Sequence, residues 1–351
     1  MSLGARARAL ALGTARRTVL RGALLLLLSA CSNAPDVVAR ARIPGEVLDP
    51  ENPPKIVEVS GDIEVRDPAI IEANGHFYLF HTGTGIASKV SSDLSTWQAG
   101  PRVFDPYPAW IDEIIPDVGE LWSPAIAHFG GVYHLYYAAS VFGGNRSCIG
   151  HASKPALDSS DAWTDLGSVI CSNTGSTADD WNAIDPELLL LDGVPWLVFG
   201  SYQSGIKLIR LDPSGSRTDS ELYSVAERTG DTSAVQQPVL WQRAGYFYLF
   251  SSFDTCCRGV DSTHKIMVGR AADITGPYLD RAGAKLLDGG GTLVLDGDDR
   301  FHGPGSNALL AHGAKTYDVY HAYDGNLNGR ATLRIAELAW DTEGWPVSGG
   351  P

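Results

Sequence analysis

The sequence predicts an all-β chain folded as a five-bladed β-propeller, and three observations carry that reading. An apolar run, a tight glycine-containing turn and an alternating aromatic run recur together five times. The copies start at residues 68, 124, 186, 238 and 307, so neighbours lie 52 to 69 residues apart. Repeats of about 40–50 residues or more, with about four strands each, mark a propeller with one blade per repeat. Stretches of helical amphipathic period are nearly absent, which disfavours a barrel wrapped in outer helices.

Each copy justifies its own hairpin. Residues 68–75 (PAIIEANG) lead into 76–80 (HFYLF), and 124–131 (PAIAHFGG) into 132–137 (VYHLYY). Residues 186–193 (PELLLLDG) lead into 194–199 (VPWLVF), and 238–245 (PVLWQRAG) into 246–250 (YFYLF). The last copy runs from 307–313 (NALLAHG) into 316–320 (TYDVY). An apolar strand, a short turn with glycine and a second alternating strand make a β-hairpin. Third strands follow at 206–211 and 264–269, and fourth strands near Trp97 and Trp163.

The N-terminus differs in kind. Arg6, Arg8, Arg16, Arg17 and Arg21 precede the apolar run 23–28, with no acid before Asp36. A basic segment followed by so short an apolar run is an export signal rather than a membrane span. Residues 28–31 (LSAC) resemble a bacterial lipobox, which makes Cys31 the lipidation site, and 14–21 (TARRTVLR) resemble a twin-arginine signal. An ordinary cleaved signal peptide is the plainer alternative. The expected organisation is an export signal over 1–30, a tether over 31–60 and a propeller over 61–351. It implies an exported bacterial protein that meets the membrane only through a lipid anchor. Loss of residues 1–30 removes five arginines and no acid, moving the formal charge from −14 to −19. So acidic a chain argues against nucleic acid or anionic lipid as a partner. Of the four remaining cysteines, Cys148 and Cys171 are the expected disulfide, since export permits one. Cys256-Cys257 matches no metal-ligand spacing.

The innermost strand of each propeller blade lines a central channel. Residues just before those strands should therefore converge: Asp67, Ser123 after Trp122, Asp185, Gln236-Gln237 and Gly305-Ser306. Asp67-Pro68 and Asp185-Pro186 each place an acid before a proline that opens a strand, where no ladder N–H is needed. Two carboxylates, a tryptophan and several amides in one concavity suit a carbohydrate, and paired carboxylates are the equipment of glycoside hydrolysis. An Asp-Pro step is also a common turn opener, and channel carboxylates could instead hold calcium.

The matching stretches 65–71 (VRDPAII), 121–140, 181–189 (WNAIDPELL), 246–278, 289–295 (GGGTLVL) and 321–346 make residues 61 to 348 resemble the family-43 glycoside hydrolases. Within that family the similarity is to the endo-α-1,5-L-arabinanase group, whose Cys-Cys motif Cys256-Cys257 resembles. The resemblance implies a five-bladed propeller and inverting hydrolysis of α-1,5-linked arabinan. It implies Asp67 as the general base and Asp185 as the residue that orients the acid and raises its pKa. It places substrate contacts at Asn182, Ala183, Ile184, Ser201, Tyr202 and Gln203, with Trp122 and the loop 142–147 as further cleft walls.

Two departures stand out. The family's acid motif Glu-Ala-Pro reads Gln236-Gln237-Pro238 here, and an amide has no carboxyl proton to deliver. Gln236 is then left to hold the glycosidic oxygen by a hydrogen bond, and hydrolysis of arabinan should be impaired. Glu187, on the same face as Asp185 but deeper, and His302 are alternative proton sources; Glu221 and Glu227 read as surface residues. The family's Gly-Pro-Gly-His-Asn motif reads with Ser306 in place of its histidine. Ser306 is a weaker anchor for the channel calcium of that family, and no cofactor is required. The expected partner is arabinan or an arabinose-containing oligosaccharide, met by a monomer. A non-catalytic arabinan-binding lipoprotein and a family-43 arabinofuranosidase or β-xylosidase are the competing readings.

Overall fold

The computed structural model describes residues 47–175, 178–228 and 234–351. The export signal, Cys31 and the start of the tether lie outside the described residues. Five antiparallel sheets follow one another along the chain. Blade I is built from Ala69–Ala73, His76–His81, Ala87–Ser91 and Thr96–Ala99. Blade II comprises Leu121–Phe129, Val132–Ala139, Ser147–Lys154 and Thr164–Ser172. Blade III comprises Glu187–Leu191, Val194–Phe199, Ile206–Arg210 and Tyr223–Ala226. Blade IV comprises Val235–Arg243, Tyr246–Phe253, Lys265–Ala271 and Thr292–Leu295. Blade V contributes Phe301–His312, Lys315–Asp324 and Arg330–Trp340. Among the described residues, the only α-helix is the five-residue Trp110–Ile114 between blades I and II.

Each blade begins with a hairpin closed by two residues, as the registers Ala73↔His76, Phe129↔Val132, Leu191↔Val194, Arg243↔Tyr246 and His312↔Lys315 require. In four of them both turn residues have positive φ, for example Asn74 at 51° with Gly75 at 74°. That is the turn whose twist matches the twist of the strands it joins, and it explains the Asn-Gly, Gly-Gly and Asp-Gly pairs.

Two features differ from the sequence reading. Residues 56–57, assigned to the tether, form the strand Ile56–Val57 on the outer edge of blade V, with Ile56 opposite Ala336. The short strand Ser60–Gly61 lies parallel against Thr96–Ala99 of blade I. The N-terminal side of the propeller thus ties the last blade to the first, and the domain starts before residue 61. A two-residue strand carries too little pattern to be told from a linker. The second difference concerns the prolines. Pro68 and Pro186 precede their strands, as expected, but Pro124 and Pro238 sit inside longer strands at register shifts between Trp122 and Ala125 and between Gln236 and Val239. A bulge is the other place where a sheet tolerates proline.

The core consists of five apolar clusters, one between each pair of adjacent blades. Phe80 and Ile86 of blade I meet Leu121, Leu135 and Tyr137 of blade II. Ala125, Tyr136 and Ile149 meet Leu197, Phe199 and Ile209 across blades II and III. Ile206 and Leu208 meet Leu249 and Phe253 across III and IV, and Tyr248 and Phe250 meet Tyr320 and Trp340 across IV and V. Leu79 and Trp97 meet Val319, Leu333 and Ile335, which closes the ring. Successive strand residues face opposite sides of a sheet, so Tyr136 and Tyr137 pack against different neighbours. Burying a large apolar side chain contributes roughly 1.5–3 kcal/mol, so the ring closes on apolar area. Cys148 and Cys171 stand opposite each other in blade II and are disulfide-bonded as expected; Cys256 and Cys257 are bonded to each other.

Candidate active site

The ring of blade entries converges as the repeat predicts. Asp67, Ser123, Asp185, Gln237 and Ser306 line one narrow channel together with Pro68, Pro124, Pro186, Pro238 and Glu187. All five ring residues share a left-handed backbone, with φ of 51°, 43°, 57°, 52° and 53°. Left-handed non-glycine residues cost of order 1–3 kcal/mol each and persist only where the surrounding structure fixes them. Here closed blades fix them, and the bulges or strand starts aim each side chain inward.

Asp67 is the most heavily held of the five. Its Oδ1 accepts from Gln237 Nε2 and Ser306 Oγ, each at 2.8 Å, and its Oδ2 accepts from Thr82 Oγ1 at 2.5 Å. Thr82 Oγ1 also accepts from the Ser123 N–H at 2.9 Å, and the Asp67 N–H donates to His321 Nδ1 at 3.2 Å. Burial opposes ionisation of Asp67, but His321, the hydroxyls of Thr82 and Ser306, and Arg66 together hold its carboxyl below the usual range. Asp185 goes the other way. Burial and the charge of Asp67 push it up to about 7, against hydrogen bonds from Ser123, the Gln237 N–H and Ser201. Two carboxyls in one channel, one kept ionised and one near half-protonation at neutral pH, make a divided acid–base pair.

Gln236 does not join the ring. It is paired with Ser252 in blade IV and bridged to Ser201. Its side chain is buried. Nε2 lies 2.6 Å from His264 Nε2 and 3.4 Å from the Asp254 carbonyl, and Oε1 accepts from Ser201 Oγ at 3.3 Å. Protein atoms thus engage the hydrogen-bonding groups that the sequence reading assigns to a glycosidic oxygen. His264 is fully buried, and burial lowers it to about 3, so the imidazole is neutral and accepts from the amide.

The expected substrate segment does assemble beside the ring. The Ile184 N–H donates to the Asn182 carbonyl and the Gly200 N–H to the Ile184 carbonyl, which sets Asn182, Ala183 and Ile184 against Ser201. Asn182 Oδ1 is buried without a hydrogen-bond partner. The Ala183 N–H donates to Ser172 Oγ, which donates to the Asn145 carbonyl, so the loop 142–147 is tied to this segment. Phe142 on that loop is 80% exposed. Tyr202 and Gln203 are exposed at the tip of a turn with φ of 53° and 48°. Trp122 is half-buried next to Ser123. Glu187 lines the channel, and burial raises it to about 8. His302, Glu221 and Glu227 are not among the residues that line it.

Sequence reasoning missed Thr82, His321 and His264. Each lies on or beside a second or third strand of its blade, where no local pattern separates an inward polar residue from a buried structural one. Calcium fits this channel poorly. Both oxygens of Asp67 are already bonded, the Ser306 hydroxyl is spent on Asp67, and calcium takes six to eight oxygens. Gln237 Oε1 and Asn307 Oδ1 remain unpartnered, and among the described residues no group of three or more His, Cys, Asp or Glu converges.

With the geometry in place, comparison with known proteins adds identity. The family model for glycosyl hydrolases family 43 matches residues 61–346. An extracellular endo-α-(1→5)-L-arabinanase from Bacillus subtilis is 42% identical over 288 residues, covering 80% of this chain and 87% of that protein. An extracellular exo-α-(1→5)-L-arabinofuranosidase from Cellvibrio japonicus is 37% identical over 300 residues, covering 81% and 86%. Among solved structures, a family-43 endo-arabinanase from Bacillus licheniformis superposes with a TM-score of 0.78 at 43% identity, covering 83% of this chain and 99% of that one.

Proposed function

The chain belongs to the family-43 glycosyl hydrolases, and from that membership we propose that it hydrolyses α-1,5-linked arabinan with inversion at the anomeric carbon. The observation that carries the proposal is the divided pair at the channel mouth, Asp67 kept ionised and Asp185 kept near neutrality. Asp67 takes a proton from a water, whose oxygen attacks the anomeric carbon from the face opposite the leaving sugar. Asp185 stays inside the ring, where its hydrogen bonds to Ser201 and the Gln237 N–H set the wall that faces the leaving group. Asn182, Ala183, Ile184 and Trp122 position the sugar.

The departing oxygen needs a proton, and Gln236 carries none. General-acid assistance is typically worth about 10²–10⁴-fold, so turnover of unactivated arabinan is slow. Both relatives compared above are named as extracellular, which supports export of this chain too; a lipid anchor at Cys31 rests on residues 28–31 alone. The experiment is incubation with linear α-1,5-arabinan, following reducing ends and, by NMR, the anomer first released. New ends that appear first with inverted configuration are expected. Oligomers of mixed length would mark endo action, and arabinose alone exo action. First release of the retained anomer would end the inverting assignment. The internal engagement of Gln236 favours one second reading, a protein that binds arabino-oligosaccharides without cleaving them. Saturable binding with no turnover over days would select it.

A further inference from the structure

Resting on arabinan hydrolysis as proposed above, the unanswered step is protonation of the leaving sugar. The position that lacks a carboxyl has a neighbour with an acidic O–H. The turn carrying Tyr202 is clamped directly over Gln236: Ser201 and Gln236 are bridged, the Tyr202 N–H donates to the Val235 carbonyl at 3.0 Å, and the Gly205 N–H donates to the Tyr202 carbonyl at 2.7 Å. Tyr202 and Gln203 are consecutive left-handed non-glycine residues. Strain of that kind is held where side-chain direction matters. The Tyr202 phenol lies near the Gln236 amide, with Arg258, Asp185 and Asp254 as the surrounding charges. Arg228 and Lys265 already neutralise Asp254, at 2.6 and 3.0 Å. Tyr202 remains 36% exposed, whereas Asp185 is 5%, Gln236 4% and His264 0% exposed. Of these four groups it alone is solvent-exposed and bears a transferable proton.

We propose that the Tyr202 hydroxyl is the proton donor to the departing sugar in this chain, taking the place of the carboxyl that Gln236 lacks. In the step, the water oxygen bonds to the anomeric carbon while Asp67 accepts the water proton. The bond from that carbon to the glycosidic oxygen breaks, its electron pair stays on oxygen, and the Tyr202 proton passes to that oxygen. The phenolate left behind is near Arg258, and it regains its proton from solvent. Burial raises the phenol above its ordinary value, against the opposing pull of the Gln236 hydrogen bond and Arg258, so Tyr202 stays protonated through neutral and mildly alkaline pH. Such a donor is a weaker acid than a carboxyl, in keeping with slow turnover.

The test compares wild type with Tyr202→Phe on linear arabinan and on a 4-nitrophenyl arabino-oligoside, whose leaving group needs little protonation. Phenylalanine keeps the ring available for stacking on a sugar. Expected is a fall in kcat of about 10²-fold or more on arabinan with KM nearly unchanged, and a change below about threefold on the aryl substrate. Adding Gln236→Glu to Tyr202→Phe should restore arabinan turnover and bring in an alkaline limb that wild type lacks. Equal losses on both substrates, or a fall below tenfold on arabinan, would overturn the assignment. An alkaline limb near pH 7 in wild type that survives Tyr202→Phe would give the role to Asp185. Turnover of neither substrate by wild type would overturn the hydrolase reading and this one together, whereas active wild type with unaffected Tyr202→Phe overturns this one alone.

Discussion

Blades III and IV enter the channel with the same backbone and opposite chemistry. Asp185-Pro186 and Gln237-Pro238 each put a left-handed residue before a proline at the ring. In blade III the strand starts only at Glu187, so the ring residue is preceded by the free turn 182–184. In blade IV the strand already runs from Val235, and Gln236 is locked in its ladder before the bulge. Ring geometry therefore settles where a side chain points, and the residue type alone settles whether it can move a proton. Asp67 and Asp185 place carboxyls at the ring; Gln237 and Ser306 use the same geometry to hold Asp67.

The largest expected effect breaks the comparison at its catalytic end. Asp67→Asn should lower kcat on arabinan by about 10²–10⁴-fold while the affinity for arabino-oligosaccharides, read by calorimetry, stays within a few-fold. A variant that keeps its rate would make the whole ring structural. Next comes the other end of the comparison. Gln236→Glu alone should raise kcat on arabinan at least tenfold and leave the aryl substrate nearly unchanged, because a carboxyl there is a stronger acid than the Tyr202 phenol. A gain below tenfold would mean that position 236, turned toward His264, cannot reach the leaving oxygen.

Much of this comparison was legible in the sequence. Five hairpins with glycine turns fixed the blade count, and the repeated Asp-Pro step picked out Asp67 and Asp185. The direction of Gln236 was not legible. Adjacent strand residues face opposite sides, and which of two glutamines faces the channel depends on a bulge that only the paired strand reveals. Closure by Ile56–Val57 was hidden for the related reason that two residues hold no period. Thr82, just past the second strand of blade I, and His321, in the second strand of blade V, hold Asp67, and nothing local marks them.

A smaller effect concerns stability. Asp318 is fully buried in blade V, with Asn307 Nδ2 donating to its Oδ1 at 2.8 Å and Oδ2 unpartnered. Burial raises it to about 7 from 3.8. A carboxyl raised in the folded state binds more protons folded than unfolded between those two values, so stability falls as pH rises from about 4 to 7. Asp185 and Glu187 add slopes of the same sign, Glu187 up to about 8. Asp318→Asn keeps the bond from Asn307 and removes one titration, so the decline of Tm between pH 5 and 8 should become shallower. An unchanged slope would show that Asp318 does not titrate in that window.

The smallest effect returns to the hairpins that build the ring. Four of the five turns have positive φ at both positions, and three of those four begin with Asn74, Gly130 or Asp192, residues that tolerate it. Blade IV begins its turn with Ala244, φ 50°, where a Cβ and no compensating side-chain hydrogen bond make the left-handed region costly. Asn-Gly is the preferred pair for this turn, so Ala244→Asn should stabilise the fold by roughly 0.5–1 kcal/mol, read as a rise in Tm of a degree or more. The turn is on the opposite end of the strand from Gln236, so kcat on arabinan should not change. A rise in Tm with constant kcat would show that blade IV departs from blade III only at its entry, and a change in kcat would mean that hairpin strain reaches the ring.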